Sequence, residues 1–276
     1  MTVLLLASAS PARLAVLQTA GLDPLVTVSG VDEDAVLDRL RDADPETQIQ
    51  ELAEAKADAV AVQVSGGVLP GVPSDDVVVV GCDSMLLIDG ELQGKPAGVD
   101  QAKARWRQMA GRDAVLITGH AVRRVMDGRV AAGVAGTRST VVRMGRPTDG
   151  ELDAYIATGE PMAVAGALTI DGFGGWFVEG VDGDPSNVLG ISLPLTRELL
   201  RRVGVRVTDL WRDPARTEAA PETPSARAPH APSARPAKFD ATVAPPVRAA
   251  ASTNGARTAD TLVPATDVDS PTHRST

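Results

Sequence analysis

Residues 77–84 read Val-Val-Val-Val-Gly-Cys-Asp-Ser, and the rest of the domain can be placed around them. Four consecutive β-branched residues are typical of a strand that is buried on both faces, as in α/β domains. The strand pattern resumes at Met85–Ile88, and Asp89-Gly90 then marks a tight hairpin turn. The four residues between the two runs either make a turn or place the Asp83 carboxylate at a strand end, where it could hold a metal or activate water.

The segments on either side alternate between strand and helix patterns. Val3–Ala7 is a short apolar strand, after which Ser10 offers a helix N-cap and Pro11 suits the first helical position. This order predicts an α/β fold, in which a mixed twisted sheet is flanked by helices. The expected helices are 13–20, 46–64, 100–109, 149–158 and 195–203, and the strands 114–125 and 129–144 form a hairpin across Asp127-Gly128.

Composition changes sharply near Asp213. Residues 213–276 hold ten of the twenty prolines, one leucine and one aromatic residue. Such a segment cannot bury enough apolar surface to offset its ordering entropy, so we predict a disordered Pro/Ala/Thr-rich tail. Residues 1–212 are predicted to form one domain, and they carry the whole net charge of −9 because the charges of the tail cancel.

Charge and cysteine content exclude several classes of protein. A net charge of −9 argues against a protein that coats nucleic acid. The single cysteine, Cys82, cannot form an intrachain disulfide and fits a reducing compartment, so a cytoplasmic location is expected. The N-terminus lacks the basic start and the apolar length of a signal peptide, and no apolar run is long enough to predict a membrane span.

The turn from the first strand into the first helix is a candidate phosphate site. Ser8 and Ser10 supply hydroxyls, the helix start supplies free N–H groups, and Arg13 supplies a positive charge. A capped helix with a surface arginine explains the same residues, since Ser and Pro are favoured at these positions. The spacing alone favours that plainer interpretation.

Two further candidates are Lys95 and the acidic run Val31–Asp34. Lys95 follows Gly94 and is one of three lysines in residues 1–212. A compact ammonium suits phosphate, although a plain surface lysine is the simpler explanation. Gly94-Lys95 is not a Walker A loop, because the glycine and hydroxyl positions of that pattern are missing. The acidic run could bind a metal, but a solvated helix start is the commoner cause of such a run.

Histidine and cysteine chemistry has few candidates. His120 is the only histidine in residues 1–212 and lies within a strand pattern, where a hydrogen-bonded structural role is expected. The sequence contains no H-E-x-x-H, no C-x-x-C and no G-x-G-x-x-G after a strand. A triad mechanism would therefore depend on His120 alone.

Nine short motifs occur in an order that resembles the Maf family of nucleoside triphosphate pyrophosphatases. The resemblance runs from about residue 3 to residue 203 and leaves out the predicted tail. One such fragment carries little information, whereas nine in order are highly specific. The motifs are Leu6–Arg13, Val31–Glu33, Ala53–Ala57, Gly81–Ser84, Gly94–Pro96, Met109–Gly111, Gly159-Glu160, Ala165-Gly166 and Asn187–Pro194.

The resemblance implies an α/β fold like that of inosine triphosphate pyrophosphatases, with a deep cleft between two lobes. It implies that a nucleoside triphosphate, modified or not, is cut between its α and β phosphates, with a divalent metal such as Mg²⁺ or Mn²⁺, in a homodimer. Asp83 would be the catalytic carboxylate, and Glu33 would help it to place the metal. The residues implied to hold the triphosphate are Ser8, Arg13, Lys56 and Lys95.

Three positions depart from the best-known family pattern, and the resemblance connects them with base choice. Ala12 stands where Arg is usual, Ser84 where Thr is common, and Asp171 where Gln is found. Members with Arg, Thr and Gln favour dTTP and UTP, a set that this chain does not match. An ionised Asp171 can accept but not donate hydrogen bonds, so we hypothesise a base edge rich in donors, such as that of guanine.

Two other functions stay open at this point. The family has been linked to arrest of septum formation, so the chain could be a non-catalytic nucleotide-binding regulator of cell division. The presence of Asp83, Lys56 and Glu33 favours catalysis instead. A nucleotidyl transferase would share a phosphate-binding strand-to-loop start, but it would need a second substrate and would release no net pyrophosphate from a triphosphate alone.

Overall fold

The computed structural model describes residues 2–212, and the predicted tail, residues 213–276, lies outside the described residues. None of the helices in the described range has the length and hydrophobicity needed to cross a bilayer. The strands are β1 (Val3–Ala7), β2 (Leu25–Val26), β3 (Asp76–Ile88), β4 (Glu91–Gln93), β5 (Asp113–Met126), β6 (Arg129–Met144) and β7 (Val178–Asp182). The α-helices are α1 (Pro11–Thr19), α2 (Glu33–Arg39), α3 (Pro45–Ser65), α4 (Val99–Met109), α5 (Asp149–Ala157), α6 (Pro185–Val188) and α7 (Leu193–Arg202).

The strands form one mixed sheet with helices packed on it. Their order is β2-β1-β3-β5-β6-β7, and β4 lies beside the second half of β3. β1 is parallel to β2 and β3, whereas the pairs from β3 to β7 are antiparallel. The predicted fold class is confirmed, and the predicted helices and hairpin strands agree with the observed ones to within two residues. The likeness to inosine triphosphate pyrophosphatases stays a prediction.

Strand β3 corrects one expectation from the sequence. The sequence predicted two short strands separated at residues 81–84, but β3 runs unbroken from Asp76 to Ile88. On one side it pairs with β1 as far as Gly81 and with β4 from Leu86 onward, while β5 follows almost its whole other side. Within the described part of the chain, residues 82–85 therefore lack a strand partner on the β1 side, and the sheet has a gap there.

Consecutive side chains of β3 face opposite sides of the sheet, as in any strand. Asp83 faces α3 and contacts Lys56. Ser84 faces α1 and contacts Arg13. The register of β3 therefore determines which helix each of the two polar side chains meets.

Helix α3 approaches the sheet closely because two strand residues have no side chain. A Cβ on Gly81 would lie 2.6 Å from the carbonyl oxygen of Ala53, and a Cβ on Gly119 would lie 2.3 Å from that of Ile49. Any residue other than glycine would push the helix away from the sheet at these points. The backbone of α3 thus packs directly on β3 and β5, which brings Lys56 within reach of Asp83.

Residues 159–192 contain more regular structure than their glycine content predicts. They include three 3-10 helices, the edge strand β7 and the short helix α6, none of which was predicted. The rings of Trp106, Tyr155 and Phe177 pack edge to face with centroids 5.5–5.9 Å apart. The Trp106 indole N–H also donates to the carbonyl of Ala167 at 2.8 Å. These contacts fasten the segment to α4 and α5.

Candidate active site

A cleft of about 710 Å³ opens at the gap in the sheet, where β1 and β4 stop short of each other along β3. All the site residues named from the sequence line it: Ser8, Ala12, Arg13, Glu33, Lys56, Asp83, Ser84, Lys95 and Asp171. We call the part lined by Ser8, Arg13, Glu33, Lys56, Asp83 and Ser84 the polar end, and the part lined by Val164, Leu168, Thr169 and Asp171 the loop end.

A buried ion pair forms the floor of the polar end. The Lys56 ammonium donates to Oδ1 of Asp83 at 2.5 Å and lies 2.7 Å from Oε1 of Glu33. Asp83 and Lys56 are 6% and 7% exposed, so water screens their attraction little. Removing either one would leave an uncompensated buried charge. Lys56 therefore bridges a carboxylate in the floor and a half-exposed carboxylate on the rim.

Glu33 is placed by the start of helix α2. Asp32 is the N-cap of that helix and accepts a hydrogen bond from the Ala35 N–H, so the helix-start interpretation of the acidic run is confirmed. Carboxylates are favourable in a first helical turn because of the helix dipole. Glu33, the first residue of α2, turns toward Lys56 in addition, and thus belongs both to the helix start and to the cleft.

Arg13 is held by three oxygen atoms of the protein. Its guanidinium donates to the hydroxyls of Ser8 and Ser84, both at 3.0 Å, and to the carbonyl of Gly190 at 2.7 Å. Ser10 caps α1 by accepting the Arg13 N–H, which confirms the capped-helix interpretation. The arginine nevertheless faces the cleft and not the outer surface. A guanidinium has five N–H donors, so two remain for a ligand.

A hydrogen-bonded chain supports this arginine from the sheet. The Ser84 hydroxyl shares a hydrogen bond of 3.0 Å with that of Thr118, and Thr118 in turn donates to the carbonyl of Asn187 at 3.3 Å. The buried Asn187 amide donates to the carbonyls of Leu116 and Arg138. The segment that carries Gly190 is thereby fixed against β5 and β6.

His120 has the structural role that the sequence predicted. Its Nε2 accepts the Ser192 N–H at 2.8 Å, so Nδ1 carries the proton and donates to the carbonyl of Thr118. Burial, helped by the charge of Arg13, lowers the pKa of His120 to about 4. The imidazole is therefore neutral at physiological pH and serves as a hydrogen-bond acceptor for the segment that follows α6.

Lys95 lies on the exposed rim, and the residue before it is firmly held. The carbonyl of Gly94 accepts hydrogen bonds from Arg105 at 2.6 Å and from the Gly166 N–H at 3.0 Å. Burial lowers the pKa of the Arg105 guanidinium. Among residues 2–212, neither Arg105 nor Lys95 forms a salt bridge. Lys95 thus offers an ammonium to the cleft from a fixed backbone position.

The loop end has a different surface. Its walls include the apolar side chains of Val164 and Leu168, and Leu92 and Leu116 add further apolar surface to the cleft. The exposed carboxylate of Asp171 lies at its border. A few polar groups beside an apolar surface are typical of a small-molecule site, in which the polar groups fix the orientation of the ligand.

Sequence reasoning missed several residues that hold the site together. Asn187 and Gly190 belong to the motif Asn187–Pro194, but the sequence assigned neither of them a role in the site. Arg105 lies in a helix with no motif, so nothing in the sequence indicated it. The contacts of these three residues join segments far apart in the chain, which local patterns do not report.

Glu33 and Asp83 are the groups that could hold a divalent cation. Oxygens of both converge on the Lys56 ammonium, so the space between them already favours positive charge. Residues 2–212 contain no group of three or more His, Cys, Asp or Glu side chains arranged for a metal. A cation would thus need water and ligand oxygens to complete its shell, as Mg²⁺ commonly does. The donor set fits such a cation.

The fold and the site together define a class of α/β protein that can bind a polyanion beside a carboxylate pair. Within that class, the chain belongs to the Maf-like protein family, which it matches over residues 3–203. The resemblance drawn from the nine motifs is thereby confirmed.

Similar curated proteins cover the same part of the chain. A nucleoside triphosphate pyrophosphatase of Rhodococcus erythropolis is 59% identical over 216 residues, which are 77% of this chain and 98% of that protein. A protein of the same name from Rhodococcus jostii is 56% identical, covering 79% of this chain and 100% of its own length. Another, from Saccharopolyspora erythraea, is 59% identical and covers 76% of this chain and 97% of its own length.

Proposed function

We propose that this chain is a nucleoside triphosphate pyrophosphatase, which hydrolyses the bond between the α and β phosphates and yields a nucleoside monophosphate and pyrophosphate. The observation that carries the proposal is the buried Asp83–Lys56 pair in the floor of a cleft that is also lined by Ser8, Arg13 and Lys95. Relatives that are 56–59% identical to this chain are named nucleoside triphosphate pyrophosphatases, which supports the proposal.

Asp83 is the proton acceptor in this proposal. Water forms a new bond to phosphorus, the phosphoanhydride bond breaks, and the bridging oxygen leaves with pyrophosphate. The proton that the water loses passes to the Asp83 carboxylate, which is the role of a general base. The Lys56 ammonium now occupies one oxygen of that carboxylate, so we expect it to turn toward the phosphates when substrate binds.

A divalent cation, Mg²⁺ or Mn²⁺, would be held by Glu33 and Asp83. When bound, it would neutralise phosphate charge and polarise the phosphoryl group. Lys56 supports the same site from within the protein, because its ammonium keeps the two carboxylates close together before substrate arrives. Their mutual repulsion is thus already offset in the free protein.

The phosphate chain is held by Ser8, Arg13 and Lys95. Arg13 has two free N–H donors and a geometry fixed by three protein oxygens, so it can bind a phosphate without first becoming ordered. Lys95 supplies a further positive charge from the exposed rim of the cleft. Removing one such donor from a transition state typically costs about 10²–10³ in rate.

In this proposal, the loop end recognises the base of the nucleotide. Asp171 accepts hydrogen bonds from a donor-rich edge, which favours guanine-type over uracil-type nucleotides. Ala12 leaves space beside α1 that a longer side chain would fill. Ser84 takes part indirectly, because its hydroxyl is engaged by Arg13 and Thr118 at the polar end.

The assembly and the location of the protein are further parts of the proposal. We expect a homodimer, as the family resemblance implies, and a cytoplasmic location, which fits a nucleotide substrate and the single buried cysteine. Light scattering coupled to gel filtration measures the oligomeric state, and a monomer at micromolar concentration would contradict the first expectation.

The experiment is a panel of normal and modified nucleoside triphosphates, incubated with the purified protein and Mg²⁺ or Mn²⁺. Release of pyrophosphate and monophosphate is measured for the wild type, for Asp83→Asn and for Asp75→Asn, a control in the bend just before β3. We expect release that is lost only in Asp83→Asn. If no nucleotide is cleaved with either metal, the proposed enzyme is wrong.

A further inference from the structure

Glu160 lies outside the set of residues that line the cleft, yet it holds the loop that does. It begins the 3-10 helix Glu160–Ala163, directly after Gly159 in a left-handed conformation. One carboxylate oxygen accepts the Thr169 hydroxyl at 2.5 Å and the Gly174 N–H at 2.9 Å. The other accepts the Phe173 N–H, also at 2.9 Å. The base-reading loop, residues 169–174, is therefore attached to one side chain near both of its ends.

The loop is shaped to fit this carboxylate. A Cβ on Gly172 would lie 2.2 Å from Oε2 of Glu160, so a larger residue there would displace the carboxylate from its present position. A Cβ on Gly174 would lie 2.6 Å from the Thr169 carbonyl and from the Tyr155 hydroxyl. Both glycines thus permit a tight turn around Glu160, in which Ile170 packs toward the core and Asp171 is exposed.

The charge of Glu160 fits a role as a fixed anchor. Partial burial would raise the pKa of this carboxyl, but hydrogen bonds from Thr169, Gly174 and Phe173 outweigh burial and hold the pKa below its usual value. The carboxylate is therefore ionised at neutral pH. Charge-assisted hydrogen bonds are about twice as strong as neutral ones, so the attachment is firm.

We propose that Glu160 is a positioning residue for base selection, which acts by holding Asp171 at the border of the cleft. This inference rests on the proposed function, because it takes Asp171 as the group that meets the base. Glu160 itself is not expected to touch the substrate. Its effect passes through the backbone of residues 169–174 and reaches the loop end without altering the polar end.

The change Glu160→Gln removes an anchor while keeping the size of the side chain. An amide has one acceptor oxygen, and its NH₂ group cannot accept the N–H of Phe173 or Gly174. At least one attachment is lost, and the loop can then move relative to the cleft. We expect the Kd ratio between GTP and UTP to fall by about tenfold, the factor that matches loss of one charge-assisted hydrogen bond.

Binding is measured by titration calorimetry with the non-hydrolysable α,β-methylene analogues of GTP and UTP, so that Asp83 stays in place and neither nucleotide is consumed. The control is Glu179→Gln, an exposed glutamate on β7 that belongs to neither the cleft nor the loop attachment. Hydrogen exchange of the Phe173 and Gly174 amides is followed in parallel, and Glu160→Gln should speed it at least about tenfold. Combining Glu160→Gln with Asp171→Asn should change the ratio no further than Asp171→Asn alone, because both act through one contact.

The outcomes distinguish the role of Glu160 from the proposed function of the protein. Nucleotides that bind with an unchanged GTP-to-UTP ratio in Glu160→Gln overturn the role of Glu160 and leave the proposed function standing. Unchanged exchange of the two amides overturns it as well, since the loop would then be held by other contacts. If neither nucleotide binds before Glu160 is changed, the proposed function fails, and the positioning role fails with it.

Discussion

The polar end and the loop end of the cleft are built in different ways. At the polar end, side chains come from strands and helices whose register fixes them, and each is held by partners from other elements. At the loop end, the polar group stands on a turn that is wrapped around a single carboxylate. The comparison shows that a site can hold its reacting groups rigidly on strands and helices. The group that distinguishes between substrates can at the same time stand on a loop, whose sequence can change without disturbing the sheet.

The change Lys56→Met should have the largest effect and should lie wholly at the polar end. It removes the ammonium that holds Asp83 and Glu33 together and that would stabilise phosphate charge. We expect kcat/KM to fall by about 10²–10³. Steady-state kinetics with GTP and UTP should give the same factor for both. The control is Lys103→Met, which breaks a surface pair with Asp153. A loss of kcat/KM that differs strongly between GTP and UTP would contradict the division of the cleft into two ends.

Acid should destabilise the folded protein through His120, which holds the segment after α6. Its pKa is lowered from 6.5 to about 4 in the folded protein, so between these values the unfolded chain binds the extra proton. Stability should therefore be complete above pH 6.5 and should be lost as the pH falls toward 4, by about 3 kcal/mol. Urea unfolding at pH 7 and at pH 4.5 measures the loss. His120→Gln cannot titrate, so an equal loss in that variant would assign the effect to other groups.

The change Gly81→Ala tests how closely helix α3 must pack. The new methyl group would lie 2.6 Å from the Ala53 carbonyl oxygen, so the helix that carries Lys56 must move. We expect a loss of about 1–3 kcal/mol in stability, measured by thermal unfolding, together with a lower kcat. The matched control is Gly136→Ala on β6, whose new methyl would meet its nearest neighbour at 3.7 Å. Equal effects of both changes would argue against close packing as the cause.

The smallest effect is expected at the loop end. Asp171→Asn keeps the size of the side chain but adds a donor, so the ratio of kcat/KM between GTP and UTP should change by about tenfold. The kcat for the better substrate should stay within a factor of about two, because no group at the polar end moves. Asp182→Asn, an exposed change on β7, is the control. An unchanged ratio would remove Asp171 from base recognition.

The same division explains how much the sequence could predict. The helices α1 and α3, which carry Arg13 and Lys56 at the polar end, were predicted to within two residues, since hydrophobic pattern and capping residues act locally. The break expected at Gly81 was wrong because glycine there serves the approach of α3, a contact between distant segments. Strand β7 and the turns before it were missed for a similar reason: their structure depends on Glu160 and on the aromatic rings of Trp106 and Phe177.

The unbroken course of β3 has a consequence for how this domain tolerates insertions and deletions. Adjacent strand residues alternate between faces, so removing a single residue from the valine run would exchange the sides of Asp83 and Ser84. The hydroxyl would then meet Lys56, and the carboxylate would take the buried place of Cys82 on the opposite face of the strand. A change of two residues would restore the sides but displace both groups by about 7 Å along the strand. A substitution within the valine run can thus be mild. Any change in the length of the run would instead move Asp83 and Ser84 away from the residues that they now contact.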